Sequence, residues 1–295
     1  MKKGLLLVIL SIFFILSCDM SNRADIVIDG SSTVSPITNA VVEEFALENK
    51  GIDIAVGVSG TGGGFKKFVT GELDIANASR PIKKEEAEKA KKAGVEYMEL
   101  QIATDGLTVV VNSQNNWISD VNEGELKKLW QEGSDIKKWS DMNPSWPDVQ
   151  IKLYGPDQDS GTYDYFLEEI VGHKGRLRAD YSPASDDNQL VQGIEGDKGA
   201  IGYFGYAYYL AQKEKLKALN INGVAPTEEN IRSGKYIPLS RPLYIYVNKQ
   251  SIKDKPLVKK FLLFYLKNAG QLVREEGYVP LSDYSEQERE IERIK

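Results

Sequence analysis

Three times along this chain, small hydroxyl and glycine residues stand between an extended run and a helix-prone stretch. Ile26-Val27-Ile28 runs into Asp29-Gly30-Ser31-Ser32-Thr33, and Ile52 to Val58 runs into Ser59-Gly60-Thr61-Gly62-Gly63-Gly64. Asp159-Ser160-Gly161-Thr162 leads into a helix expected over Tyr163 to Val171. Short apolar runs alternating with amphipathic stretches are the mark of an α/β fold. After the first cluster, Ile37, Val41 and Phe45 recur at four-residue spacing and so predict a helix with one buried face. Phe65, Phe68 and Val69 start a second helix, Leu73 to Ala76 forms a third strand, and the charge-dense Lys83 to Lys92 reads as a solvated surface helix.

Leu107 to Val111 reads as a buried strand, and Leu243 to Val247 is its counterpart; each is followed by an asparagine, Asn112 and Asn248. Two such strands bracketing about half the chain predict a middle domain inserted into an outer one and joined by two crossings. Between them lie loops carrying Trp130, Trp139 and Trp146, and the aromatic stretch Tyr203 to Tyr209. The last 25 residues are charged, show no core pattern and are expected to be exposed.

Composition removes whole classes of function. With 37 Lys and Arg against 43 Asp and Glu, the net charge is −6, which is wrong for a nucleic-acid surface. One cysteine rules out an internal disulfide framework or thiolate zinc site, and one histidine, His173, leaves little for metal sites or hydrolytic triads. Gly60 to Lys67 lacks both P-loop spacing and the last glycine of a dinucleotide fingerprint. Asp157 to Glu168 mimics a calcium loop, but Gly161 and Thr162 occupy positions that need an oxygen ligand and a turn glycine. Ser160 lies outside the nucleophile-elbow pattern, and His173 reads as a surface residue near a helix end. No cofactor or metal is expected, and a binding protein fits better than an enzyme.

The N-terminus reads as a label. Lys2 and Lys3 precede an apolar run from Leu5 to Leu16, too short for a bilayer span of about 20 residues and suited to a signal h-region. It ends at Ile15-Leu16-Ser17-Cys18, which resembles a bacterial lipobox, with Cys18 as the lipid-bearing residue. Residues 1–17 are then a signal peptide and 18–24 a tether. Loss of the two lysines takes the mature charge from −6 to −8.

At a helix start, four backbone N–H groups lack intrahelical partners and the dipole is positive, so an anion is welcome there. Ser and Thr hydroxyls add donors, and glycine allows close approach. Plain N-capping explains any one of the three clusters; three together point to a shared oxyanion pocket. Arg80, before Pro81, sits at a strand end where α/β ligands bind, and its fork can hold two oxygens at once. Asp105, before Gly106, opens the first crossing. The two residues could equally form a structural pair or stand solvated.

These residues resemble the PstS-type phosphate-binding lipoproteins, extracytoplasmic receptors of phosphate ABC importers. The resemblance rests on Asp29 to Val34, Ser59 to Gly63, Ala78-Ser79-Arg80, Asp159 to Thr162, Gly199 to Tyr203 and Pro226 to Asn230, and covers Ala24 to the C-terminus. It implies a two-lobed periplasmic-binding-protein fold with two hinge crossings and a ligand cleft between the lobes. Residues 25–106 and 245–295 form lobe I, and 107–244 form lobe II. It implies phosphate contacts from Ser32, Thr33 and the Val34 N–H, from Thr61, and from Ser160, Gly161 and Thr162. Many relatives carry an arginine where Pro156 stands, and some an aspartate where Ser79 stands. Arg80 is expected to supply the missing cation and Asp105 the missing carboxylate.

A carboxylate accepts the proton that phosphate keeps near neutral pH, whereas sulfate offers it only lone pairs, at a cost of about 1–3 kcal/mol or more. The net negative charge gives no long-range attraction for an anion, so local dipoles and hydrogen bonds must bind it. The implied partners are inorganic phosphate, a permease and ATPase complex, and a membrane reached through the lipid; the chain is expected to be a monomer that binds no nucleic acid. The alternatives are a receptor for sulfate or molybdate, a surface phosphatase or esterase using Ser160, and a lipoprotein that keeps the fold without the ligand.

Overall fold

The computed structural model describes residues 24–158, 160–172 and 174–294. The expected signal peptide, most of the expected tether with Cys18, and Asp159, His173 and Lys295 lie outside the described residues. Three strand–helix units open the chain: β1 (Ile26–Gly30) with α1 (Ser35–Glu48), β2 (Ile54–Val56) with α2 (Gly60–Phe68), and β3 (Ile75–Ala78) with α3 (Lys84–Lys92). The long β4 (Tyr97–Asn112) leads to β5 (Asp120–Val121), α4 (Glu123–Trp130), α5 (Trp139–Met142) and β6 (Lys152–Pro156). Next come α6 (Gly161–Phe166), β7 (Ser182–Ala184), α7 (Asp187–Gly196), β8 (Ala200–Gly205), α8 (Tyr206–Ala211), β9 (Leu216–Ala218), β10 (Asn220–Ile221) and α9 (Glu228–Arg232). The chain returns through β11 (Ser240–Asn248) and ends with α10 (Lys249–Asp254), α11 (Pro256–Glu275), β12 (Val279–Pro280) and α12 (Ser285–Arg293).

The principal strand order is β2-β1-β3-β11-β4-β8-β6-β7, with β9 and β12 pairing β4 to the side. β1 runs parallel to β2 and β3, whereas β11 lies antiparallel between β3 and β4. At 16 residues, β4 spans roughly 50 Å and serves two halves of the molecule. Tyr97 to Gly106 pairs with β11, and Leu107 to Asn112 pairs with β8 and β9. The core changes along it too: Ala103 packs with α1 and α11, Leu107 with the indoles of Trp130 and Trp139. On the second crossing the change falls between Leu239 and Leu243.

The helices follow their sequence signals. Ser35-Pro36 starts α1, where proline loses no useful N–H, and Ile37, Val41 and Phe45 are buried. α3 buries only Ala90, as its charge density requires. Three local expectations change. The helix expected over Tyr163 to Val171 is α6 followed by a π-helical turn at Leu167–Val171. Trp130 ends α4 and Trp139 opens α5, and both indoles are fully buried in the second core rather than lying in loops. The C-terminal segment docks rather than hanging free: Leu272, Val273, Val279, Tyr284 and Ile291 are buried, and the Tyr284 hydroxyl donates to the Ile102 carbonyl at 2.6 Å. α11 explains this, since its apolar stripe from Val258 to Val273 covers the sheet and the following chain covers α11.

Candidate functional site

A cavity of about 440 Å³ opens where the two halves meet. Ser31, Ser32, Thr33, Thr61, Ser79 and Arg80 line it from the first lobe, and Gly161, Asp164, Tyr165, Glu168 and Glu169 line it from the second. Arg241 enters from the β11 crossing.

β1 delivers its loop by ending at Gly30, whose φ of +141° and near-contact with the Asn77 carbonyl admit no side chain. The Ser31 N–H donates to Asn77 O at 2.9 Å, and Ser35 N–H to Ser31 O at 3.0 Å opens the first turn of α1. The N–H groups of Ser32, Thr33 and Val34 precede that bond, at the positive end of the helix. Thr61, in the first turn of α2, is linked to the end of β3: its Oγ1 accepts the Ser79 N–H at 3.1 Å and lies 3.0 Å from Ser79 Oγ. α6 is fixed from behind by Phe166, whose ring stacks on Tyr203 at 3.7 Å. Its N-terminal Gly161 comes so close to the first lobe that an added Cβ would lie 3.0 Å from Thr33 Oγ1 and 3.6 Å from Ser32 Oγ.

Of the expected site residues, Ser32, Thr33, Thr61, Ser79, Arg80 and Gly161 line this cavity together. Val34 is fully buried, its side chain in the first core and its backbone at the N-cap of α1. Ser160 is the N-cap of α6, with its Oγ accepting the Thr162 N–H at 3.1 Å, so both residues flank the cavity rather than line it. Arg80 borders the cavity but is held by Glu86, with Nη1 and Nη2 each 2.9 Å from a carboxylate oxygen. Burial pushes the Glu86 carboxyl up, yet the Arg80 and Lys83 contacts outweigh it and hold the group below its usual value.

Asp105 does not line the cavity; it lies buried behind Arg241, whose Nε donates to its Oδ2 at 3.2 Å. Burial raises the Asp105 carboxyl, opposed by the charge and hydrogen bond of Arg241. The same guanidinium donates through Nη2 to Thr33 Oγ1 at 3.0 Å and lies 3.8 Å from the centre of the Tyr165 ring. Arg241 therefore touches one lobe, the other lobe and both crossings. Sequence reasoning missed it, although a signal was present: Ser240-Arg241-Pro242 repeats Ser79-Arg80-Pro81 at a second strand terminus. Asp164, which also escaped notice, faces the cavity two residues after Thr162; partial burial and Glu168 raise its carboxyl, while Arg241 opposes the shift.

Such an arrangement offers hydroxyls, helix-start N–H groups and two arginines to a small oxyanion, with carboxylates on the opposite wall. A family model described as a PBP superfamily domain matches residues 19–269. The chain is 42% identical over 270-odd residues to the phosphate-binding protein PstS of Staphylococcus saprophyticus, an alignment covering 90% of this chain and 84% of that protein. This chain belongs to the PstS-type phosphate-binding proteins. Protein SphX of Synechococcus elongatus is 52% identical over 270 residues, covering 88% of this chain and 79% of that protein. A crystal structure from Planctomyces limnophilus, described as a possible phosphate binding protein, superposes with a TM-score of 0.84 at 46% identity, covering 90% of this chain and 96% of that one. The PstS-type membership agrees with the two-lobed α/β fold and the place of the cavity.

Proposed function

We propose that the chain binds inorganic phosphate between its lobes and delivers it to an ABC-type importer, acting as a receptor and not as an enzyme. The observation that carries this reading is the convergence of Ser32, Thr33, Thr61, Ser79, Arg80 and Arg241 on one cavity fed by helix starts from both lobes. The lobes move as residues 25–106 with the C-terminal part against the middle part, the second hinge point lying between Leu239 and Leu243. In the closed arrangement Gly161 and the start of α6 stay against the Ser32–Thr33 loop, which excludes water and strengthens each hydrogen bond to the ion. Ser160 serves by capping α6, so the Gly161 and Thr162 backbone is presented in fixed geometry; a hydroxyl spent on that cap is poorly placed as a nucleophile.

Arg241 supplies the bidentate cation, and Asp105 acts through it by holding the guanidinium in place. The carboxylate that meets the ion is then Asp164. An ionised acceptor there gains a hydrogen bond from protonated phosphate and repels sulfate. Among the described residues no helix is long and apolar enough to cross a membrane. A lipid on Cys18, after removal of residues 1–17, would hold the receptor beside its permease. The deciding experiment is calorimetry on ligand-stripped protein with phosphate and then sulfate. Phosphate binding without a sulfate response supports the reading; equal binding turns it into a general oxyanion receptor; silence toward both overturns it. Asp164→Asn should admit sulfate, while Asp105→Asn should leave the phosphate-to-sulfate ratio unchanged.

A further inference from the structure

Asp29, the penultimate residue of β1, lies beneath the anion-facing loops and is buried to 5% exposure. Its Oδ1 accepts two backbone N–H groups, from Gly30 at 2.7 Å and from Ser59 at 2.9 Å. The first belongs to the loop that carries Ser32 and Thr33, the second to the loop that carries Thr61. Its Oδ2 is ion-paired with Lys67 in the last turn of α2. One carboxylate thus grips α2 at its N-cap and along its body, while anchoring the neighbouring loop. The surroundings are built to fit it: a Cβ at Gly57 would lie 2.7–2.9 Å from the carboxylate atoms, and one at Gly64 would lie 2.7 Å from the Gly30 Cα. The Ser59 side chain makes no capping bond to α2; it hydrogen-bonds Asp29 instead, so both the backbone and the hydroxyl of the N-cap residue are held by this carboxylate.

An acid beneath an anion site is an electrostatic liability unless its charge is cancelled. Burial alone would raise this carboxyl, but Lys67 and the N–H groups of Ser59 and Gly30 hold it below its ordinary value. It is therefore charged throughout the neutral range, and Lys67 is its counter-ion.

We propose that Asp29 is a positioning residue that fixes the spacing between the Ser32–Thr33 loop and the Thr61 loop, with Lys67 cancelling its charge so that both loops can serve one anion. The proposal rests on the phosphate reading above for its ligand, and on nothing but the fold for its brace. Three variants separate its parts. Asp29→Ala removes both acceptors and orphans two N–H groups; Asp29→Asn keeps an acceptor oxygen without the charge; Lys67→Met keeps the brace and exposes the charge.

The test is amide hydrogen exchange on the ligand-free protein, paired with phosphate calorimetry. For Asp29→Ala, exchange should rise about tenfold or more at residues 29–34 and 57–63 while α11 stays protected, and phosphate affinity should fall about tenfold. Asp29→Asn should recover most of both. Lys67→Met should keep loop protection, bind phosphate several-fold more weakly and regain part of the loss at high salt. Unchanged exchange in the two loops overturns the brace, as does a uniform rise across the lobe with affinity intact. Full phosphate affinity in Lys67→Met overturns the charge-cancelling role. A wild-type protein that ignores phosphate brings down the receptor reading alone, and the exchange data still decide the brace.

Discussion

The same tripeptide, Ser-Arg-Pro, follows the end of β3 and opens β11 at the rim of one cavity, and the two arginines live in different worlds. Arg80 stays within its own lobe, clamped in parallel by Glu86, which also caps α3 through the Lys83 N–H at 2.8 Å. Arg241 sits on a crossing, packed against buried Asp105 and bonded to Thr33 of one lobe while lying over Tyr165 of the other. The Tyr165 hydroxyl donates to the Pro238 carbonyl at 2.7 Å, so the ring beneath Arg241 is itself tied to the crossing. Local sequence made both residues strand-end arginines. Tertiary placement made one a rim residue with a private counter-ion and the other a junction between moving parts.

The sharpest way to break this comparison is to remove each cation in turn. Arg241→Met should weaken phosphate binding about a hundredfold, since charge-assisted hydrogen bonds to a desolvated anion contribute about 2–3 kcal/mol. It should also destabilise the free protein by about 3 kcal/mol by leaving Asp105 buried without its partner. Calorimetry and urea unfolding read the two effects separately. An Arg241→Met protein with near-native affinity would place Arg241 among structural residues.

Asp105→Asn comes next and separates the roles within the pair. It leaves the guanidinium without a counter-charge, so the ligand-free protein should lose about 1–3 kcal/mol, and phosphate should restore more of that stability than it adds to the wild type. Melting curves with and without phosphate check this. If the variant instead gains sulfate binding, Asp105 meets the ion directly and the assignment of that task to Asp164 fails. Arg80→Met should cost less, about threefold in affinity, because Glu86 already neutralises the guanidinium it loses.

The contrast also marks what the sequence could and could not reveal. The apolar spacing of Ile37, Val41 and Phe45 and the glycine–hydroxyl clusters carry local rules, and they led to α1, α2 and the loops around the cavity. Asp105 was visible as a strand-end carboxylate, but its partner is 136 residues away, and only the antiparallel pairing of Arg241 with Asp105 brings them together. Arg241 lay in plain sight in a repeated tripeptide, yet nothing local distinguishes a rim from a crossing. The C-terminal segment misled because its few apolar residues, Tyr284 and Ile291 among them, are too sparse for a periodic signal and are buried by what α11 offers them.

The smallest effect sharpens the comparison from the Arg80 side. The Glu86 carboxyl is lowered from 4.5 in the folded protein, opposite in direction to Asp105. A carboxyl lowered on folding contributes stability that is fully present above its unfolded value and disappears as pH falls through the folded one. The Arg80–Glu86 clamp should therefore hold at neutral pH and weaken only below about pH 4.5. Because the pair is partly solvated, with side chains 30% and 19% exposed, its worth is no more than about 1 kcal/mol. Glu86→Gln should lower the neutral-pH stability by that small amount, converge with the wild type in acid, and release Arg80 to tighten phosphate binding slightly. For Asp105 the sign reverses: a carboxyl raised on folding binds its proton more firmly in the native state, so its contribution declines as pH climbs above the unfolded value. Across pH 3 to 7 the stability gap between wild type and variant should thus widen with rising pH for Glu86→Gln and narrow with rising pH for Asp105→Asn. Parallel curves would mean that the two arginines, for all their difference in setting, face carboxylates of one kind.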